Sequence, residues 1–360
     1  MNILIHGAVN GSNFGDCLYA QIYNDIIKGI DGRIKTFFWQ NRLFGASNHL
    51  KSISNFQTSK EIKSLETLIF MPGGYFGDGP TIYRRIKQYF RFFRLGEKFA
   101  RDNKNIIVSG VGGERSDSTF LLNKILNIFN NSTLITVRNK KTADFYQKYV
   151  NNEIINLFDP ILHVRNMELP ELNSDLKELL EKCRDKKKIF LHVHSRNFHN
   201  ENFVKNVIPA LNKYVSKNNS HVFVGTDYIS RRPIKDLDIY NSVKSEKSTY
   251  EYSTPLNLCA MLKECDIVIT PKLHVGVVSS VFNKSVISFA VTPLKTKTFY
   301  EEIGYPERSI ALYETTPEKA YNKIIEFADA PIQIPTELLK KSDENFVLLK
   351  SKILDLMNGN

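Results

Sequence analysis

The sequence predicts an α/β protein of two domains, each built on a parallel sheet. Three observations carry that expectation. Short apolar runs alternate with helix-patterned segments along most of the 360 residues, and strands separated by helices pair in parallel through crossover connections. The alternation stops once, at a charged stretch carrying Pro170, and then restarts. With 42% hydrophobic residues over this length, the chain can fill two cores.

In the first half, MNILIHGAV (1–9) reads as a buried strand, and a helix is expected from about Asp16 to Lys28. RIKTFFWQ (33–40) is a second strand, followed by a polar loop over 41–60. LETLIFMPGG (65–74) and NIIVSGVGG (105–113) are strands that end in glycines, with a helix over 80–102 between them. A helix near 119–130 leads to the strand STLITVRN (132–139), the helix 140–150 and the strand-like NEIINLFDPIL (152–162). These make an N-terminal Rossmann-like domain over 1–165.

Residues 166–187, with a helical LKELLEK segment, are assigned to a linker. The second domain, 188–330, opens with KKIFLHVHSR (187–196) and continues with a helix over 200–217 and SHVFVGTD (220–227). A loop with Arg231 and Arg232 precedes a helix over 255–263 and the strand CDIVIT (265–270). LHVGVVSSVFN (273–283) is a helix, KSVISFAVT (284–292) a strand, and TFYEEIG (298–304) starts another helix. Residues 331–360 are a helical tail. Two such domains are expected to enclose a ligand cleft between them, with ligands beyond the carboxyl ends of the strands.

Composition narrows the class. No apolar run approaches the roughly 18–20 residues that span a bilayer. The N-terminus has no basic region ahead of an apolar core, so it reads as a strand and not as a signal peptide, which implies a cytoplasmic protein. Cys17, Cys183, Cys259 and Cys265 form no metal-binding spacing and read as reduced, buried thiols. A net charge of +11 favours anionic partners, from phosphorylated small molecules to an anionic membrane face.

The strand ends hold the candidate site residues. GAVNGSNFGDCLY (7–19) places Gly7, Gly11 and Gly15 before Asp16, a residue suited to cap a helix. MPGGYFGDGP (71–80) lets the backbone approach a ligand or the neighbouring domain closely at glycines such as Gly74, and Asp78 either holds a hydroxyl or caps the next helix. SGVGGERSD (109–117) is a further glycine-rich end, with Arg115 nearby. Arg138 ends a strand, where it binds a carboxylate or phosphate or else pairs with Asp159, and Asn139 caps the next helix. His192, His194 and Arg196 share one face of their strand, but no carboxylate or thiol beside them completes a zinc site. Arg196 is the candidate there. In ITPKLHVGVVSS (269–280), Lys272 and His274 fall on the first turn of a helix, where an ammonium, an imidazole and backbone N–H groups meet an anion together. Lys295 and Lys297 come to the next strand end.

Taken in order, these motifs resemble the polysaccharide pyruvyl transferase family over about residues 1–310. The family's Asn-x-Gly-Asp is matched by Asn13-Phe14-Gly15-Asp16, its Gly-rich strand end by PGGYFGD (72–78), and its Gly-x-Gly by Gly110-Val111-Gly112. Its Val-Arg-Asp is matched by Val137-Arg138-Asn139, its Asp-Pro by Asp159-Pro160, and its Arg-Leu-His by Lys272-Leu273-His274. A Lys before Phe-x-Glu-Glu-x-Gly is matched by Lys295 and residues 299–304. Lys272 stands where the family has Arg, and Asn139 where it has Asp.

The resemblance implies two Rossmann-like domains of the GT-B type. It implies transfer of a pyruvyl group from phosphoenolpyruvate to a sugar of a surface polysaccharide or its precursor, as a ketal. His274 would be the acid that protonates the methylene carbon, with Asp16 as a second catalytic residue. Arg138 and Lys272 would hold carboxylate and phosphate, with Gly112 beside them; Arg196 and Lys295 are added to the donor site by their position at the cleft and not by the resemblance. Asn13, Gly74 and Asp78 would face the acceptor, an oligosaccharide or a lipid-linked sugar. Phosphoenolpyruvate is a co-substrate, and no metal or other cofactor is required. The Lys- and Asn-rich composition points to an AT-rich, bacterial genome.

Two other readings stay open. One is a GT-B glycosyltransferase whose cations and helix N-termini hold the diphosphate of a nucleotide sugar. The other is a non-enzymatic binder of anionic glycan or nucleic acid, although no nucleic-acid partner is expected. YRRIKQYFRFFR (83–94) bears on the latter. It reads first as a crossover helix with its aromatic residues in the core and its basic face in water, and second as a helix in peripheral contact with the inner face of the cell membrane.

Overall fold

A computed structural model describes residues 1–8, 13–39, 52–53, 63–79, 81–113, 116–194, 196–230 and 232–359. Of the loop expected over 41–60 only Ser52–Ile53 is described, and Gly11, Arg115 and Arg231 lie outside the described residues. The chain forms two compact units. The first comprises Met1–Ser12, Asp16–His163 and Thr336–Asn360, and the second Asn13–Gly15 and Val164–Pro335.

The first unit is a seven-stranded sheet. Its strands are β1 (Asn2–His6), β2 (Lys35–Trp39), β3 (Ser52–Ile53), β4 (Thr67–Phe70), β5 (Asn105–Val111), β6 (Ser132–Val137) and β7 (Ile155–Asn156). They pair in the order β3-β2-β1-β4-β5-β6-β7, all in parallel, with Ile5 beside Phe38 on one side and Ile69 on the other. The order reverses between β1 and β4. Ile3, Leu4 and Ile5 are buried, as is all of β4, because a parallel sheet covered by helices on both faces has no water-facing row. That is why these strands are apolar runs and not alternations. Leu4, Phe70, Phe76, Phe93, Phe99, Phe129 and Tyr146 belong to the core, each large apolar side chain contributing about 1.5–3 kcal/mol on burial.

The second unit repeats the plan with six strands: β8 (Lys187–Val193), β9 (Ser220–Thr226), β10 (Lys247–Tyr250), β11 (Ile267–Thr270), β12 (Ser285–Ala290) and β13 (Ser309–Ala311). Their order is β10-β9-β8-β11-β12-β13, again parallel, with the reversal between β8 and β11. Its core includes Leu191, Phe203, Val224, Ile269, Ile287, Phe289 and Ile324.

Several segments differ from the sequence expectation. Residues 166–187 carry the helix Ser174–Lys182 and group with the second unit. The tail forms one long helix, Thr336–Asn358, that groups with the first unit. The single helix expected over 80–102 is two, Ile82–Gln88 and Arg94–Arg101, joined by a π-turn at Tyr89–Phe93. Such a turn inserts a residue and rotates the faces. No residue of Ile82–Gln88 is buried, whereas Phe92, Phe93, Leu95 and Phe99 are. So only the later aromatics of 83–94 reach the core. The helix expected over 200–217 breaks at Val207 into Asn197–Asn206 and Ile208–Val215, where Pro209 lacks the N–H that would continue the ladder. β10, β13 and the helix Pro317–Phe327 have no counterpart in the sequence reading.

Candidate functional site

The second unit places a buried charge network at its topological switch point, where open parallel sheets bind ligands. His192, near the end of β8, is fully buried, and its Nδ1 lies 2.8 Å from Thr270 Oγ1 at the end of β11. Its Nε2 lies 3.2 Å from Asp227 Oδ1, just beyond β9. Lys272 donates from Nζ to the same oxygen at 2.6 Å, and its ammonium sits 5.7 Å from the centre of the Tyr228 ring. Burial opposes the charge of Asp227, but His192 and Lys272 outweigh it and hold the carboxyl well below the usual carboxylate range. Burial lowers the pKa of His192 against the pull of Asp227.

Thr270 also shapes the exit of β11. Its hydroxyl accepts from the Lys272 N–H at 3.1 Å and donates to the Lys272 carbonyl at 3.2 Å, a local turn of the kind Ser and Thr favour. The helix Leu273–Val281 starts directly after it. Lys272 is the N-cap and supplies no side-chain cap, since an ammonium cannot accept a hydrogen bond. The first turn therefore has no cap from its N-cap side chain, and the dipole there favours an anion. His274 is half-buried on that first turn. Asn13–Gly15 groups with this unit, and a Cβ built on Gly15 would come within 2.0 Å of His274 Nδ1. Only glycine fits against the imidazole. Asn13 Oδ1 accepts the Gly15 N–H at 3.3 Å, which shapes that turn.

Beyond β8, His194 Nδ1 accepts the Arg196 N–H at 3.0 Å, which leaves its proton on Nε2. Burial first, then the charges of Lys272 and His199, lower its pKa to about 3. His199 packs edge-on against it at 4.3 Å and bonds the Tyr313 hydroxyl. Burial, then the charges of Arg196 and Lys272, lower the His199 pKa as well. The Arg196 side chain is exposed at the start of Asn197–Asn206. Lys295 is exposed in the first turn of Pro293–Glu302, after β12. Among the described residues, no group of three or more His, Cys, Asp or Glu is arranged to hold a metal ion.

In the first unit, Arg138 directly follows β6 and pairs with Asp159. Its Nη1 donates to Asp159 Oδ2 at 2.7 Å and to Tyr19 Oη at 2.8 Å, while Tyr19 donates to Asp159 Oδ1 at 2.5 Å. Burial opposes the Arg138 charge, and Tyr19 with Asp159 more than restores it. The guanidinium lies over Gly112, where a Cβ would sit 2.8 Å from Nε. Gly110 has φ +62° and abuts Pro160, so it too must be glycine. Asn139 Oδ1 caps the helix Lys140–Tyr146 through the Thr142 N–H at 2.9 Å. Asn and Asp cap about equally well, which makes the exchange neutral for the fold.

Asp78 bonds the loop that follows β5. It takes the N–H groups of Asp117 and Ser118, each at 2.7 Å, and the Ser116 hydroxyl. It thus ties down the loop before the helix Thr119–Asn130, and the next helix, Ile82–Gln88, is capped by Thr81 and not by Asp78. Gly74 is exposed beyond β4, and Asp16 is half-buried in the first turn of Phe14–Lys28. Sequence reasoning missed Asp227 and Tyr19. Asp227 had the signal used for the other candidates, the first position after a parallel strand. Tyr19 stands three residues after Asp16, hence on the same helix face.

The profile of the polysaccharide pyruvyl transferase family matches residues 13–293. Against curated protein sequences the chain has no match. Among solved structures it is similar to UDP-GlcNAc 2-epimerase from Neisseria meningitidis bound to UDP-GlcNAc, at 12% identity and TM-score 0.58, covering 98% of this chain and 100% of that one. It is also similar to UDP-GlcNAc 2-epimerase from Methanocaldococcus jannaschii, at 11% identity and TM-score 0.61, covering 97% and 99%. A UGT transferase from Siraitia grosvenorii in complex with UDP matches at 10% identity and TM-score 0.56, covering 98% and 100%. At such identities the likeness shows the fold alone, a two-domain α/β fold of the GT-B type.

Proposed function

Because the chain belongs to the polysaccharide pyruvyl transferase family, we propose that it moves a pyruvyl group from phosphoenolpyruvate onto two hydroxyls of a sugar in a polysaccharide or its precursor. One observation carries the assignment of the donor. Lys272 and His274 stand on the N-terminus of the helix Leu273–Val281, without a side-chain cap, at the switch point of the second sheet. Phosphoenolpyruvate is a small polyanion and needs clustered donors of this kind.

His274 gives a proton to the methylene carbon, which becomes the methyl group, and positive charge develops at the adjacent carbon. A sugar hydroxyl attacks that carbon and loses its proton, with Asp16 as the accepting base. The C–O bond to phosphate then breaks, and a second hydroxyl closes the ketal and releases its own proton. One donor and one diol thus give one ketal and one inorganic phosphate. Lys272, Arg196 and Lys295 neutralise the donor's charges from the second unit. Arg138 and Gly112 are assigned to the donor, and Asn13 and Gly74 to the acceptor, by their motifs. Asp227 acts through Lys272 and so is a positioning residue.

The test is a thermal melt of the wild type and of Lys272→Ala, with and without phosphoenolpyruvate. A ligand at about 100 times its Kd stabilises a fold by roughly 2.7 kcal/mol, a shift of a few degrees. A shift in the wild type that disappears in the variant supports the reading. A shift with UDP or CMP and none with phosphoenolpyruvate would replace it with nucleotide-sugar transfer.

A further inference from the structure

The helix Ile82–Gln88 of the first unit is built inside out. Two of its polar residues, Arg85 and Gln88, face the protein. Arg85 Nε donates to the Gly79 carbonyl at 2.9 Å, and Gln88 Nε2 donates to the carbonyls of Tyr75 and Gly77 at 2.6 and 2.5 Å. Its apolar residues face outward, Ile82 at 75% exposure, Tyr83 at 70% and Ile86 at 46%, and Phe90 on the π-turn follows at 58%. Ile82, Ile86 and Phe90 recur every fourth residue, which forms one stripe along a helix. Phe120, 45% exposed, extends the patch through Tyr89, whose ring lies 5.1 Å from Phe90 and 5.4 Å from Phe120. Arg84, Lys87 and Arg94 are exposed beside it, and residues 81–94 contain no Asp or Glu.

We propose that this outer face of residues 81–94 docks on an anionic membrane surface, its apolar side chains entering the headgroup boundary and its basic ones meeting lipid phosphates. Single exposed apolar residues are ordinary. Five in one patch, flanked by the exposed Arg84, Lys87 and Arg94, need a partner that takes up apolar and cationic groups together. A soluble polyanion uses the cations and leaves the isoleucines in water. A bilayer interface uses both, with aromatic rings suited to its depth. The net charge of +11 adds long-range attraction to an anionic leaflet. The helix is pinned to the loop 75–79 that leaves β4, the same strand end as Gly74. On the proposed pyruvyl transfer, docking would present that strand end to a sugar carried on a lipid. The docking itself does not depend on that reaction.

The test is sedimentation of the full chain with vesicles of phosphatidylcholine, alone or mixed with phosphatidylglycerol, at low and high salt. Binding should require phosphatidylglycerol and weaken with salt. It should fall about five-fold for each charge removed in Arg84→Ala and Lys87→Ala, and at least about ten-fold in the triple variant Ile82→Ser, Ile86→Ser, Phe90→Ser. Melting temperatures check the fold, and the two charge variants keep the test decisive if the triple variant unfolds. No sedimentation with phosphatidylglycerol vesicles at low salt overturns the proposal. So does a folded triple variant that binds like the wild type while heparin displaces both, since the face would then be a polyanion patch.

Discussion

Asp227 is the residue on which Lys272 depends for its position, because one buried carboxylate oxygen serves both the ammonium and His192. Removing one partner of a buried pair leaves the other uncompensated. Asp227→Ala should therefore cost about 3 kcal/mol, read from urea unfolding, and should weaken the phosphoenolpyruvate-induced thermal shift in the same protein. Gly15→Ala tests the imidazole. Its new methyl would come within 2.0 Å of His274 Nδ1, so the ring must move, and displacement of a reacting group by about 1 Å can cost a hundred-fold. A transfer rate within a few-fold of wild type would remove His274 from the chemistry. His6 gives a pH prediction. Burial, with a smaller effect of Arg91 and against the Phe92 hydrogen bond, lowers its pKa from 6.5 to about 4. As pH falls between those values the unfolded chain takes up a proton that the folded one refuses, so stability present above pH 6.5 is lost toward pH 4. The loss from this group is on the order of 3 kcal/mol. Unfolding midpoints over that range should fall steeply in the wild type and less steeply in His6→Gln. The ends of strands were legible in the sequence as places for chemistry. The partners were not, because the Lys272–Asp227 and Arg138–Tyr19 bonds join residues far apart in the chain.

At the scale of the element, the helix Thr336–Asn358 shows what periodicity can and cannot tell. Its helical character is plain in the sequence. Its attachment is not, since every anchor is more than a hundred residues away. Asn345 Nδ2 donates to the Phe158 carbonyl at 2.9 Å, and Asn345 Oδ1 accepts the Thr136 hydroxyl at 2.8 Å. That hydroxyl in turn accepts the Gly110 N–H at 2.7 Å. Ser342 donates to the backbone oxygen of Asp159 at 2.8 Å, and Phe346 packs edge-on against Tyr23. The helix therefore braces the turn that holds Asp159 against Arg138. Asn345→Leu keeps the bulk but removes the bonds to the Thr136 hydroxyl and the Phe158 carbonyl, which should cost about 3 kcal/mol. Ser342→Ala should cost about 1 kcal/mol. The comparison is made by denaturant titration of both variants, and equal costs would mean that packing, not the polar network, holds the helix. The π-turn at Tyr89–Phe93 was likewise hidden. Aromatic and basic residues occur on both sides of it, and only the added residue decides which of them face the core.

At the scale of the molecule, the alternation of apolar runs and helices revealed two parallel sheets but not how the chain is shared between them. Sequence order suggested a first domain, a linker, a second domain and a tail. The structure instead makes the first unit discontinuous, with residues 336–360 returning to it. Local patterning carries no signal for that return. A fragment of residues 164–335 should give a cooperative melt by circular dichroism, while 1–163 alone should not. Adding a peptide of residues 336–360 to the second fragment should restore a transition, and a cooperative melt of 1–163 without it would show that the last helix is dispensable. The same discontinuity sets an order of events at the ribosome. The unit whose synthesis begins first is the last to be completed. After residue 163 emerges, residues 164–360 take on the order of 10–40 s to make at ordinary elongation rates. Through that interval the nascent first unit lacks the helix that covers Tyr23 and bonds Thr136, and the second unit has its whole sequence before that helix is made. A chaperone that shields one face of β5 and β6 until residues 336–358 emerge would meet that need.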